Sequence, residues 1–233
     1  MTHTPKAEAA SADSPLSASA ALTLLDRQQR RVANERGRFV FPITLAWAVA
    51  WLVGFGALWS IDGPAVDHVG SGAGLPVPVA LTIFLVLLVA AIAVSIVQGV
   101  RGGRGFKGSA SAFTGTVYGI SWSIVMIGIG VLGGALQAHG MSTTVGNIYY
   151  PCVYTFAVGL LYLLAGAIWH SVSSVVAGGC VILVAVIAAW FGYPNHYLVL
   201  AIGGGGTFLV LAIRDVVAGR RVRAQLAGEG QRG

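Results

Sequence analysis

The fold is decided by the stretch RGRFVFPITLAWAVAWLVGFGALWS at residues 36–60, in which two arginines precede a long run without charged residues. An α-helix rises about 1.5 Å per residue, so about 20 apolar residues are needed to cross the hydrocarbon core of a bilayer. Residues 39–60 have that length and contain no Asp, Glu, Lys or Arg. The stretch therefore predicts a transmembrane helix with a basic flank.

Five further stretches of the chain have the same character. Of the 233 residues, 56% are hydrophobic and 9% are charged, whereas soluble domains carry about a quarter charged residues. The sequence predicts an all-α fold, a polytopic membrane protein with a bundle of six transmembrane helices, at residues 39–60, 78–99, 113–135, 149–169, 172–191 and 196–213. Only His170 and Ser171 separate the fourth and fifth apolar runs. The alternative to a tight hairpin there is a re-entrant or tilted segment.

The distribution of cations predicts the orientation. All 14 Lys and Arg residues lie in three segments, at 1–38, 101–107 and 214–233. The intervening loops, at 61–77, 136–148 and 192–195, contain none. Cytoplasmic flanks of transmembrane helices retain Lys and Arg, so we expect both termini in the cytoplasm, an N-in/C-in topology.

The same cations predict the surroundings of the protein. Because they flank membrane helices, the net charge of +6 favours contact with the lipid bilayer and the anionic lipids of its inner leaflet, and not with nucleic acid. High Ala, Val, Gly and Arg with little Lys is typical of a GC-rich bacterial genome. We therefore expect a multi-pass protein of the bacterial inner (plasma) membrane.

Three regions follow from this layout. Residues 1–38 are predicted to be a cytoplasmic tail, residues 39–213 a six-helix membrane domain, and residues 214–233 a basic cytoplasmic tail. Within the first tail, residues 19–36 place Leu and Val on one helical face and most Arg off it, which predicts a separate amphipathic helix. That helix has two interpretations: an interfacial helix that contacts lipid or a partner, or a solvated basic tail.

Five short motifs resemble a known group of proteins. They are AWAVAWLVGFG at 46–56, RGFKGSA at 104–110, YGISW at 118–122, LLAGAIW at 163–169 and GGGG at 203–206. In this order they are similar to uncharacterised actinobacterial six-pass integral membrane proteins that are loosely labelled transporters. Several members carry an acidic residue after the tryptophan of the fourth motif, where this chain has His170. The resemblance implies the six-span topology and a transporter-like role.

The predicted spans contain no ionisable carboxylate or cation, which argues against an ion-coupled carrier that uses buried charges as relays. Aromatic and hydroxyl side chains are the polar groups at depth. If the first and third spans are adjacent, Trp47 and Trp122 lie at similar depth. The candidate transport path consists of Trp47, Trp51, Tyr118, Ser121, Trp122, Ser123, Gly204 and Gly205. The alternative is ordinary helix packing, with each hydroxyl bonded to a backbone carbonyl.

Four consecutive glycines, Gly203 to Gly206, interrupt the last predicted span. Each glycine costs about 1 kcal/mol relative to alanine in a helix interior, so the run requires a structural reason. One hypothesis is close approach of a neighbouring helix, and the sequence favours it because other spans also carry small residues. The other is an unwound segment whose carbonyls face a cavity, as in discontinuous transporter helices.

The residues that could form a metal site, a disulfide or a catalytic site lack the spacing that such sites need. Asp62, Asp67, His68, His139 and His196 lie in or next to the three loops that have no Lys or Arg, but no paired spacing of ligands favours a metal site there. Cys152 and Cys180 differ in predicted depth by about 12 Å, beyond the reach of a disulfide. No catalytic or nucleotide-binding motif stands in a suitable context, so we expect no enzyme, no cofactor and no resident metal.

These observations predict a transporter-like or permease-like protein for a neutral or hydrophobic solute. A non-transporting accessory or scaffold protein is the first alternative. The second is the membrane subunit of an ABC-type exporter, which would require an ATPase on another chain. In both alternatives the partner would contact the helix predicted at 19–36 and the basic loop that contains Arg101, Arg104 and Lys107.

Overall fold

The structure is a computed structural model that describes residues 18–62, 74–103 and 109–230, with side chains described at 39–61, 74–102 and 112–220. Within these ranges the protein is helical and contains no strand. Five helices are α1 (Ala18–Asp62), α2 (Val77–Gly103), α3 (Ser109–Ala138), α4 (Thr143–Ile168) and α5 (Val172–Phe191). The sixth, α6, consists of an α-helical turn (Asn195–Val199), a π-helical segment (Leu200–Gly205) and a long α-helix (Gly206–Gly230).

Six of these segments are long and apolar enough to cross a membrane, which confirms the predicted fold class. They are Phe39–Ile61, Val77–Gly102, Ala112–Ala138, Thr143–Ile168, Val172–Phe191 and Asn195–Arg220. The fifth has the predicted bounds. The fourth begins earlier than predicted because residues 143–148 are already helical. The sixth continues to Arg220 and therefore includes Arg214 and Asp215, which the sequence analysis assigned to the tail.

The first transmembrane helix extends well before the membrane segment. The structure has one continuous helix, Ala18–Asp62, with Pro42 inside it. The helix predicted at 19–36 is therefore present, but it is not separate from the first span. The side chains of residues 18–38, on which its predicted amphipathic character depends, lie outside the described residues, as do residues 1–17.

The helices pack in the order α2, α1, α6, α5, α4, α3. In an apolar stretch of 18 residues within each membrane-spanning segment, 11% of the residues of α2 and of α3 are buried, against 39% of those of α4 and of α6. The two peripheral helices therefore expose most of their surface, and the core lies between α1, α4, α5 and α6. Consecutive helices alternate in direction, so Arg101, Arg214 and Arg220 lie at one end, which we call the basic end. We call the opposite end, where α4 and α6 begin, the neutral end.

The turn between α4 and α5 is a tight helical hairpin, which settles the ambiguity at His170 and Ser171. His170 adopts a left-handed conformation, with φ of 52°. The Ser171 hydroxyl then caps α5 by accepting a hydrogen bond from the Ser174 N–H at 3.3 Å. Because glycines lie along the contact between α4 and α5, the backbones of the two helices approach closely. A Cβ atom on Gly178 would lie 2.6 Å from the carbonyl oxygen of Gly159.

Candidate functional site

Three glycines of the run, Gly203 to Gly205, make up half of a π-helical segment near the start of α6, and Gly206 follows it. A π-helix is rare, and single turns of it occur frequently at functional sites. A Cβ on Gly203 would lie 2.7 Å from Cγ2 of Val184 on α5, and one on Gly205 would lie 2.7 Å from Cγ of Leu52 on α1. The Thr207 hydroxyl donates to the Gly203 carbonyl oxygen at 2.7 Å. These contacts favour close helix approach as the reason for the glycines.

Trp51 occupies the centre of this contact. Its indole is 5% exposed and lies against Gly204, where a Cβ would overlap Cε3 and Cζ3 of the ring. Phe55 and Phe208 flank it in edge-to-face geometry, with ring centroids 5.6 and 5.2 Å away. Edge-to-face pairs are favourable because the positive edge of one ring meets the negative face of the next. In this conformation, the space beside Gly204 is therefore occupied by Trp51 and the space beside Gly205 by Leu52.

Trp51 belongs to a continuous series of rings that connects the two ends of the bundle. Successive ring centroids are 3.9 to 6.3 Å apart. We call this series the aromatic row, and from the basic to the neutral end it comprises Trp169, Tyr118, Trp122, Tyr162, Phe208, Trp51, Phe55, Tyr197 and His196. It draws on α1, α3, α4 and α6 and contains three residues of the predicted path, Trp51, Tyr118 and Trp122.

The other predicted path residues lie outside the aromatic row. Trp47 donates its indole N–H to the Ser95 hydroxyl on α2 at 3.0 Å. The Ser121 hydroxyl donates to the Val117 carbonyl of its own helix at 2.8 Å, and Ser123 is exposed. Trp47 therefore contacts α2, whereas Trp122 contacts Tyr162 on α4. These hydrogen bonds are those expected of ordinary packing.

Tyr118 is the one path residue whose hydroxyl crosses to another helix. It donates to the Leu161 carbonyl oxygen on α4 at 3.0 Å. Tyr118→Phe is expected to lower the free energy of unfolding by about 0.5–1.5 kcal/mol, since the partly buried hydrogen bond to α4 is lost. The measurement is thermal or denaturant unfolding of the detergent-solubilised protein. Ser121→Ala is the control and should change stability by less than about 0.5 kcal/mol, because its hydroxyl bonds only its own helix. Equal losses would contradict the interhelical bond.

Asp215 is the polar residue that the sequence analysis missed. It follows Ala212 by three positions and Phe208 by seven, so all three lie on one face of α6. Phe208 and Ala212 are buried, and Asp215 is partly buried, while Ile213 and Arg214 between them are exposed. The carboxylate thus faces the bundle at the basic end. The spacing of residues 208, 212 and 215 in the sequence already indicates that the three share one helical face.

At the basic end, the predicted partner contact is only partly described. Arg101 is exposed in the last turn of α2. Arg104 and Lys107 lie outside the described residues.

His196 has a structural position at the neutral end. Its imidazole is 0% exposed, with Nε2 2.9 Å from the Asn147 carbonyl oxygen on α4 and Nδ1 3.2 Å from the Gly192 carbonyl oxygen. His139 is exposed and contacts the Ala135 carbonyl of its own helix. Asp67 and His68 lie outside the described residues. Among the described ones, no group of three His, Cys, Asp or Glu side chains is placed to hold a metal.

Replacing His196 tests whether it joins α6 to α4. His196→Ala is expected to lower the free energy of unfolding by about 2–4 kcal/mol, because it leaves the Asn147 carbonyl without its ring donor and opens a cavity. The readout is thermal unfolding in detergent. His139→Ala should stay within about 0.5 kcal/mol of wild type, since His139 is exposed. The role assigned to His196 would be wrong if both variants unfolded together with the wild type.

No protein-family model, curated protein or solved structure matches the chain. The function therefore has to be argued from the contacts within the bundle. Three features of the bundle bear on function: the aromatic row, the π-helical segment that contacts it, and the carboxylate of Asp215.

Proposed function

We propose that this multi-pass membrane protein is a transporter-like or permease-like protein for a neutral or hydrophobic solute. The aromatic row carries the proposal. Its rings extend from one end of the bundle to the other, and aromatic rings offer apolar faces together with a few hydroxyl and N–H groups. Such a surface suits an uncharged solute with an apolar part. Ligand sites in proteins are mostly apolar, with a small number of placed polar groups.

The π-helical segment supports this proposal because a transporter has to change conformation. The rings of Trp51 and Phe208 are closely packed, so a solute would pass only after α1 and α6 separate. Helices bend preferentially at π-helical turns and at glycines. Leu200–Gly205 provides both features beside Trp51. In this proposal the basic end faces the cytoplasm of a bacterial cell, and the part of α6 beyond the glycines moves relative to α1.

Flux into proteoliposomes tests the proposal. Radiocarbon-labelled urea, glycerol and phenyl β-glucoside cover uncharged solutes of increasing apolar character, and protein-free liposomes give the background flux of each. We expect flux above that of protein-free liposomes, greatest for phenyl β-glucoside. Trp122→Ala should lower it, whereas Ser123→Ala, on the exposed side of α3, should not. Absence of protein-dependent flux for all three solutes, or wild-type flux through Trp122→Ala, would contradict the proposal.

An accessory or scaffold protein is the second candidate, and the exposure of α3 favours it. Gly115 and Gly119 are four residues apart on α3, and a Cβ on either would meet nothing within 4 Å. Small residues with this spacing allow close packing of membrane helices. Co-purification from the native membrane distinguishes the cases. A stoichiometric membrane partner favours the scaffold, an ATPase held through Arg101 favours the exporter subunit, and a protein purified alone favours the stand-alone carrier.

A further inference from the structure

Among the described residues of the membrane helices, Asp215 is the acidic residue whose side chain is partly buried in the bundle. It lies one turn beyond Ala212 and two turns beyond Phe208 on the same face of α6. The Phe208 ring is 5.4 Å from that of Tyr162 on α4. The carboxylate therefore lies below the aromatic row, at its basic end.

Among the side chains that the structure describes, few charged or titratable groups lie around Asp215. Toward its basic end, the aromatic row has two titratable side chains, Tyr162 on α4, whose ring packs against Phe208, and Tyr118 on α3. The segment of α1 from residue 39 to 61 has no ionisable side chain, and α5 has only Cys180, which is exposed. On α6 itself, Arg214 is exposed and attracts the carboxylate, and Arg220 is also exposed. No cation of the described residues faces Asp215 from another helix.

This setting limits what Asp215 can bind. Calcium needs six to eight oxygen ligands, and zinc needs three or four His, Cys or carboxylate ligands. The described residues contain no such group. A proton needs a single carboxylate. Ionisable residues inside membrane helices are expensive to keep, and they commonly mark proton and ion pathways.

We infer that Asp215 is a proton-binding site that couples the movement of α6 to protonation at the basic end. This inference rests on the proposed transport function. The carboxylate accepts one proton from water at the basic end and becomes a neutral carboxylic acid, and the same proton returns to water when the cycle ends. The ionised side chain keeps the end of α6 near water and lipid headgroups. The neutral one is able to enter the aromatic interior, so solute flux should rise as the pH falls.

The test measures flux and protonation separately. Phenyl β-glucoside flux is followed in proteoliposomes with equal pH on both sides, and carboxylic acid formation is followed by the infrared C=O stretching band. Wild type should show flux that increases on acidification, together with a band that is absent from the difference spectrum of Asp215→Asn. Asp215→Asn should have pH-independent flux equal to that of acidified wild type. Asp215→Glu and Arg214→Gln should both keep the pH dependence.

The possible outcomes separate this inference from the transport proposal. Wild-type flux that does not change with pH overturns proton coupling but leaves transport intact. Asp215→Asn with the same pH dependence as wild type overturns the assignment to Asp215. Absence of flux at every pH contradicts the transport proposal, while the infrared titration still reports whether Asp215 binds a proton. If Asp215→Asn fails to fold, the pH dependence of Asp215→Glu and the wild-type infrared titration together decide the question.

Discussion

Gly178→Ala is expected to lower the free energy of unfolding by about 3 kcal/mol, at the upper end of the range for overpacking. The added Cβ would lie 2.6 Å from the Gly159 carbonyl oxygen and 2.7 Å from the Leu163 backbone nitrogen. Both are backbone atoms of α4, so no side-chain rotation relieves the overlap. The two helices have to move apart, and the tight hairpin at His170 opposes that movement. Thermal unfolding and the monodisperse fraction in detergent measure the loss.

The next residue provides a matched control. A Cβ on Gly179 would meet nothing within 4 Å, and the position is exposed. Gly179→Ala should therefore be neutral or raise stability by up to about 1 kcal/mol, because alanine is the better helix former. Equal destabilisation of both variants would show that the loss comes from glycine flexibility and not from the contact between α4 and α5.

Gly204→Ala should lower the free energy of unfolding by about 2–3 kcal/mol, for a different reason. Its Cβ would overlap the Trp51 ring, which Phe55 and Phe208 hold on both sides. Two residues further, a Cβ on Gly206 would meet nothing within 4 Å. Gly206→Ala should therefore be neutral or gain up to about 1 kcal/mol. Unfolding measurements should thus show a loss of stability for Gly204→Ala and no loss for Gly206→Ala.

A double-mutant cycle with Trp51→Leu isolates the contact at Gly204. The smaller side chain makes room for the alanine, so the double variant should lose less stability than the sum of the single losses, by about 0.5–3 kcal/mol. Additive losses would mean that Gly204 and Trp51 do not interact. A Gly204→Ala protein with wild-type stability but no phenyl β-glucoside flux would instead support a cavity that the glycines line.

The fold was predictable because length and hydropathy alone define a membrane helix. Residues 172–191 were predicted with the bounds that the structure has. The errors lie where polar residues continue a helix beyond its apolar part. Residues 143–148 were assigned to a loop, although the Ser142 hydroxyl accepts a hydrogen bond from the Val145 N–H and so caps a helix there. Polar first and last turns are helical because of hydrogen bonds that hydropathy does not measure.

The contacts of the candidate site were less predictable because a single sequence does not show which helices are neighbours. The glycine run indicated close packing, but it did not indicate that Trp51 would be the residue that fills Gly204. Trp47 and Trp122 were paired on the assumption that their helices are adjacent, and the structure gives each a different partner helix. Asp215 was overlooked because its neighbour Arg214 marks the membrane boundary, although helical periodicity already placed it below Phe208.

The π-helical segment also determines which way the end of α6 is turned. Each of its hydrogen bonds spans one residue more than an α-helical bond, so the segment holds a residue that a regular α-helix would not need. One α-helical residue corresponds to about 100° of rotation about the axis. If the same residues formed a regular α-helix, Phe208, Ala212 and Asp215 would turn together by about 100°, away from the rings, whereas deleting one glycine would give a regular helix with these residues still in place. By accommodating that additional residue, the π-helical turn keeps the carboxylate pointing inward instead of toward lipid.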